Sequence, residues 1–358
     1  MDILIFIVVL VVLIVVHELG HFIVAKMSGM RVDEFGIGYP PRALVLGRKS
    51  GTTYTLNWLP FGGFVKIHGE DGGGDDVHAF SRRPRILQAL VLVAGIAMNL
   101  LLAYVLIVSV LLAGTPRALS YDEMVHAEDA HLAVLQVLPG TPAEQSGVRA
   151  GDSILSAKGS AYTWDTTSTQ TFPEFIAGGQ GGEVTLSIQR GAETLSLSAT
   201  PLPNKQSRYL LGVEVTPVGT VDVSFFEALT QGAAATWNTT VFTAKGLITF
   251  FAGVFTFSAD LSQVAGPIGI AGVVGDASSE GFSSLLTIAA IISINLALIN
   301  LIPIPALDGG RLLFVIIESI TRKPIRASVT QGMNAIGFFL LLLLMIVVSA
   351  HDIWKIVG

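Results

Sequence analysis

The 358-residue chain contains no cysteine. That absence removes disulfides, thiolate nucleophiles and sulfur ligands together, so any metal site must be built from His, Asp and Glu. Charge is also scarce: Asp, Glu, Lys and Arg supply 13% of the residues, about half the share of an ordinary soluble domain. The net charge of −6 argues against nucleic acid as a partner, because phosphate binding needs clustered Lys and Arg. In place of charge the chain carries 51% hydrophobic residues. Their uneven spread is that of a polytopic α-helical membrane protein in a lipid bilayer.

Four segments approach the roughly 20 apolar residues that cross a bilayer. The first, within residues 1–26, is apolar from 3 to 16 and resumes after HELGH with FIVA. It reads as a retained span and not a cleaved signal peptide, since its start carries Asp2 and no cation, and HELGH stands where a small-residue cleavage site belongs. Residues 86–116, 281–307 and 327–350 form the other spans. Lys and Arg number nine over residues 26–85 and four over 308–326, against seven over 117–280. The positive-inside rule therefore puts both termini and the long middle segment outside, and HELGH toward the cytoplasmic end of span one.

Within the middle segment, residues 127–203 change to soluble character, with strand-like alternation in HLAVLQVL, EVTLSIQR and ETLSLSAT. The stretch LPGTPAEQSGVRAGDSILSAKG resembles a PDZ domain through Pro139, Gly140, Pro142, Ala143, Gly147, Gly151, Asp152 and Ile154. Such a domain takes up a peptide or chain end along a sheet edge, or screens substrates by size. Residues 223–280 read as an interfacial helical and irregular region, with an irregular turn in SADLSQVAGPIGIAG. Residues 27–85 form a cytoplasmic-side loop, in which 53–69 are expected to make a hairpin turning at Gly62–Gly63. GGGDD at 72–76 reads as a flexible link.

The chemistry sits in HELGH. An ionisable group at bilayer depth costs at least about 2.5–3.5 kcal/mol even on lenient insertion scales, and a metal ion is one compensation. On a helix His17 and His21, four residues apart, share a face and can bind one zinc, while Glu18 can act as general base toward a water. The third ligand expected is Asp308, the first charge after span three, in NLIPIPALDGGRLLF. Pro303 and Pro305 before it and Gly309 and Gly310 after it are expected to leave irregular backbone, which at this depth is tolerated against protein or a water-filled cavity.

HELGH, FGIGYPP, PFGGFVKIHGE, the PDZ pattern and NLIPIPALDGG together resemble the site-2 protease family of intramembrane zinc metalloproteases, its bacterial RseP-like branch in particular, over nearly the whole chain. The resemblance implies Zn2+ held by His17, His21 and Asp308, with Glu18 as catalytic base. It implies that Asn300, Pro303 and Pro305 of the N-x-x-P-x-P-x-LDGG pattern help hold substrate, as does Gly63 in a membrane-associated β-hairpin beside the site. Asn99 falls where the family also has an asparagine and reads as a packing residue. Some members carry two PDZ domains in tandem, whereas 127–203 has room for one.

The implied function is intramembrane cleavage, at a bacterial inner membrane, of single-pass proteins such as anti-sigma factors already trimmed by a site-1 protease. The rival reading is a membrane-anchored PDZ adaptor or chaperone with a structural or vestigial metal site. A zinc transporter is disfavoured, because the His and acidic residues gather at one level and do not line a route.

Overall fold

The computed structural model describes residues 2–70, 76–114, 116–160, 162–191, 193–204, 207–256 and 266–357, so most of GGGDD and of SADLSQVAG lies outside the described residues. The chain divides into two compact units. The first combines Met1–Val110 with Leu229–Gly358, and the second is Leu111–Ala228.

In the first unit α1 (Asp2–Met27) is followed by strands β1 (Val32–Lys49) and β2 (Thr52–Ile67), then by α2 (Arg85–Leu112). The chain returns to the first unit within α6 (Phe225–Phe255) and continues with α7 (Pro267–Glu280), α8 (Phe282–Leu301), α9 (Asp308–Thr321) and α10 (Ala327–Val357). Among the described residues four helices are long and apolar enough to cross a membrane: Ile3–Met27, Arg85–Leu112, Phe282–Leu301 and Ser328–Trp354. These match the four expected spans. Small residues let the helices close up: Ala103 of α2 packs on Ala290 and Ile294 of α8, the means by which helices associate where lipid removes the hydrophobic drive.

Three expectations are corrected. The hairpin does not turn at Gly62–Gly63. It turns at Ser50–Gly51, where both residues have positive φ (49° and 77°), as a two-residue type I′ connection requires. Gly62 and Gly63 lie inside β2, where a Cβ on Gly62 would come within 3.0 Å of Ile14 on α1, so they make room for the helix. The third span ends at Leu301, not 307, and Ile302–Leu307 are non-helical. Finally, Gly309 and Gly310 are helical and buried in α9. A Cβ on either would collide with the carbonyls of Leu301, Ile302 or Ile304, so these glycines serve close packing, not irregularity. Residues 223–280 are mainly α6 and α7. α7 packs on α1, α8 and α10, and a Cβ on Gly232 of α6 would meet Val108 and Tyr104 of α2.

β1 and β2 are long enough to fold into four rows. Residues 32–37 lie between 63–67 and 53–56, Ile37 facing both Gly63 and Leu56, while 42–49 pair with 52–57 beyond. Among the described residues no further strand pairs with the outer edge of 63–67. Glu34 is buried in this sheet with Arg42 and the Thr55 hydroxyl. The Arg42 guanidinium holds its carboxyl below the usual range against the opposing effect of burial. Leu44, Leu46, Trp58 and Leu59 of this hairpin are exposed, Trp58 to 70%.

The second unit holds β3 (Arg117–Ala118), α3 (Tyr121–Met124), β4 (Glu128–Val137), α4 (Pro142–Gln145), β5 (Ser153–Lys158) and β6 (Thr163–Asp165). It continues with α5 (Phe172–Gly178), β7 (Val184–Arg190), β8 (Glu193–Ala199), β9 (Leu202–Pro203), β10 (Tyr209–Leu210) and β11 (Val213–Thr220). The main sheet runs β3-β11-β4-β5-β7-β8, with β6 on β5. Since β11 lies between β3 and β4, the unit extends past residue 203. Alternate strand residues Leu132, Ile154, Leu186 and Ile188 meet Trp164 and Phe175 in one core. α3 and α5 each begin in a capping box, Ser120 with Glu123 and Thr171 with Glu174. Asp152, 1% exposed, takes two bonds from Arg190, at 2.7 and 2.8 Å, and one from the Arg149 backbone N–H.

Candidate active site

His17 and His21 project from one face of α1 because four residues make about one turn. Their ring centroids are 4.7 Å apart at 80°. The glycine of HELGH has a separate purpose: a Cβ on Gly20 would collide with the Ala94 carbonyl of α2. α1 and α2 therefore touch at backbone level, and Gly95 leaves the space the imidazoles fill. A side chain on Gly95 would overlap His21 Nε2.

Asp308 arrives from 291 residues away in sequence. The bend Ile302–Leu307 reverses the chain after α8, with Ala306 at φ 79° and its N–H donating to the Asn334 side-chain oxygen of α10 at 3.2 Å. The packing of Gly309 and Gly310 against that bend sets the first turn of α9 so that the Asp308 carboxylate reaches α1. Its Oδ2 lies 2.9 Å from His17 Nε2 and 3.2 Å from His21 Nε2, and the two Nε2 atoms are 3.0 Å apart.

Those three atoms form a nearly equilateral triangle. Three corners of a zinc tetrahedron with bonds of about 2.0–2.1 Å would be about 3.3 Å apart, so the donor set fits a metal with small movements. The donor chemistry fits as well, two imidazoles and one carboxylate. Among the described residues, these three are the cluster of His and acidic groups close enough to share an ion. The remaining nitrogens are held from α2: His21 Nδ1 is 2.7 Å from the Val91 carbonyl, and His17 Nδ1 is 3.3 Å from the Asn99 amide nitrogen. Asn99, expected as a packing residue, thus also contacts His17. Asn99 and Gly95 stand four apart in an apolar run, and that polar and small pair is the sequence signal for a face turned to the site.

A cavity of about 800 Å³ opens on this cluster. Glu18, His17, His21 and Asp308 line it together with Tyr39, Asn300 and the edge row from Phe64 to Glu70. Gly63 is beside Glu18: a Cβ there would lie 3.7 Å from Glu18 Cγ and 3.0 Å from the Gly36 carbonyl. Of the three residues expected from the pattern before Asp308, Asn300 lines the cavity and the prolines do not. Pro303 is exposed, and the Pro305 backbone lies against Gly337 of α10. The cavity rim is charged. Arg311 pairs with Glu70, and His68 Nδ1 sits 3.2 Å from Asp33.

Two imidazoles and a carboxylate converging beside the Glu18 carboxyl, which is itself hydrogen-bonded to the Val65 backbone, within a bundle of apolar helices, define a membrane metalloprotease. The chain belongs to peptidase family M50, the site-2 protease family, whose profile matches residues 5–344. It is 35% identical over 343 residues to a Clostridium perfringens protein named as a candidate zinc metalloprotease, covering 95% of each chain. A Nostoc protein of the same description is 34% identical over 353 residues, covering 96% of this chain and 93% of that one. One from Fusobacterium nucleatum is 32% identical over 359 residues, covering 99% of both. The protein is a multi-pass membrane zinc metalloprotease, and its metal is Zn2+.

Proposed function

We propose that this metalloprotease cuts peptide bonds at membrane depth in single-pass membrane proteins, with His17, His21 and Asp308 as zinc ligands and Glu18 as general base. One observation carries the reading: the ligand triangle and Glu18 open on the same cavity, and both histidines come from a helix apolar enough to span. When bound, zinc supplies a Lewis acid that polarises the scissile carbonyl and acidifies the attacking water. Glu18 accepts the proton of that water as oxygen attacks the carbonyl carbon. It then returns the proton to the departing amide nitrogen, so the carboxylate is regenerated.

A transmembrane helix hides its peptide bonds in its own hydrogen bonds, so it must be unwound before water can reach one. The edge row 63–67 offers main-chain donors and acceptors to an extended substrate. Asn300 faces the same cavity as a further donor and acceptor. The exposed apolar residues of the hairpin, Trp58 and Leu59 among them, support its immersion in lipid. The second unit is read as a PDZ domain that binds a chain end or filters substrates already shortened outside, with anti-sigma factors the leading substrate class. What supports that part is the Gly151-Asp152 turn anchored by Arg190, and the edge of β11, which β3 covers only at Val218–Gly219. Both termini and that unit are assigned to the outside, and the zinc site nearer the cytoplasm.

The test is cleavage of a purified single-span substrate by the full-length protein in lipid vesicles. Glu18→Gln should keep zinc and lose cleavage by about 10²-fold or more, as expected for removal of a general base. Continued cutting by that variant refutes the assignment. Loss of function confined to deletion of residues 127–203, with Glu18→Gln fully functional, would favour the adaptor reading.

A further inference from the structure

Asn99 is fully buried near the middle of α2, where an amide is costly unless it is hydrogen-bonded. Its backbone carbonyl accepts from the Ser293 hydroxyl of α8 at 2.8 Å, which fixes the level of α2 against α8. Its side-chain nitrogen faces His17 Nδ1 at 3.3 Å, while its side-chain oxygen has no hydrogen-bond partner among the described residues.

The ring chemistry decides which end of the amide belongs at Nδ1. The histidine nitrogens that converge with Asp308 are the two Nε2 atoms, so a metal there takes their lone pairs. A neutral imidazole that gives up its Nε2 lone pair carries its proton on Nδ1 and must donate there. His21 does so to the Val91 carbonyl. At His17 the same requirement would set an N–H against the amide N–H of Asn99, donor against donor, with the amide oxygen idle. The two ends of an amide are nearly the same size and shape, and a half turn about its last bond exchanges them.

We infer that Asn99 is a positioning residue for His17: its side-chain oxygen accepts the Nδ1 proton and so fixes the tautomer that offers Nε2 to zinc. Val91, Gly95 and Asn99, spaced four apart on α2, then act as one template. The carbonyl of Val91 orients His21, Gly95 makes room for both rings, and the amide of Asn99 orients His17. The inference rests on the proposed ligation by His17 and adds how that ligand is held.

The experiment measures Zn2+ affinity of the purified full-length protein in detergent by competition with a chromophoric chelator. Asn99→Leu should weaken zinc 10- to 100-fold, the usual effect of losing a partner behind a ligand. Asn99→Asp, with acceptors at both ends, should restore affinity to within a few-fold of wild type. A mere packing role predicts the reverse ranking, because a buried carboxylate is the worse fit for an apolar helix. Asn99→Ser is carried alongside in case the leucine variant does not fold; its hydroxyl stops short of Nδ1, so the same loss is expected.

The His17→Ala background separates this inference from the reading beneath it. If His17→Ala leaves zinc affinity intact, the ligand assignment itself fails. If His17→Ala weakens zinc and both Asn99→Leu and Asn99→Ser do not, the role given to Asn99 alone is overturned. The supporting outcome is that Asn99→Leu adds nothing further once His17 is gone.

Discussion

A methyl group on Gly95 would overlap Nε2 of His21 and come within 2.8 Å of His17 Cε1. The helix that carries no ligand therefore dictates where the ligands stand. His21 cannot slide away without breaking its 2.7 Å bond to the Val91 carbonyl. Gly95→Ala should accordingly weaken Zn2+ by about tenfold or more, since displaced ligands cost at least what lost orienting partners do. Chelator competition reads the result, with thermal unfolding of the metal-free protein as the control for folding. Unchanged zinc affinity would mean the rings can shift freely.

Gly63 gives a different signature, because it touches the base and the sheet but no ligand. A Cβ there would be pressed to 3.0 Å from the Gly36 carbonyl and stand 3.7 Å from Glu18 Cγ. Gly63→Ala should push the edge row outward and crowd the carboxylate, lowering kcat/KM by about tenfold, about 1.4 kcal/mol of transition-state stabilisation. Zinc affinity should stay at the wild-type level. If both quantities fell together, the residue would be acting through the ligand triangle instead.

Neither glycine carries its role in the sequence, because what each makes room for lies on another element. That His17, Glu18, His21 and Asp308 come together is legible in the sequence, because a charged or imidazole group in or just beyond an apolar run has few explanations other than chemistry. The four spans were legible from the length of the apolar runs. Gly62–Gly63 suggests a turn because glycine signals both a turn and a close approach, and the sequence has no marker for the Ile14 side chain that needs the space. Gly309 and Gly310 suggest irregular backbone for the same reason, whereas the carbonyls of Leu301, Ile302 and Ile304 before them are what exclude a side chain. Asn99 was visible as an oddity in span two, yet its use depended on a contact 82 residues away. The extension of the second unit past residue 203 was hidden because β11 pairs out of sequence order.

The hairpin makes a prediction about lipid. Leu44, Leu46, Trp58 and Leu59 of the hairpin have exposures of 57%, 56%, 70% and 46%, apolar surface that water would penalise. In a variant whose other tryptophans at 164, 237 and 354 are replaced by Phe, Trp58 fluorescence should be strongly quenched by brominated acyl chains. Efficient quenching by aqueous iodide, with none by the lipid, would place the hairpin in solvent. The same measurement on Trp58→Phe with Trp237 restored gives the comparison for a residue on α6, itself 69% exposed.

Asp152 supplies a pH dependence whose sign can be worked out. Burial pushes its carboxyl up, but the Arg190 guanidinium and the Arg149 N–H more than offset this, so in the folded unit it lies below the usual range. A group depressed by folding contributes stability that is fully present above its unfolded value, about 3.9, and is lost as pH falls through the lower folded value. The unfolding temperature of the second unit, followed by Trp164 fluorescence, should therefore show no contribution from Asp152 to its pH slope between 7 and about 5. Below about 4 wild type should lose stability faster than Asp152→Asn, which starts lower and lacks this titration. Glu123 and Glu174 are also held low by their capping boxes, and they titrate alike in both proteins, so the difference between the two curves isolates Asp152. A wild-type minus variant difference that grows on acidification would reverse the sign and remove the Asp152–Arg190 pair as the anchor of the Gly151–Asp152 turn.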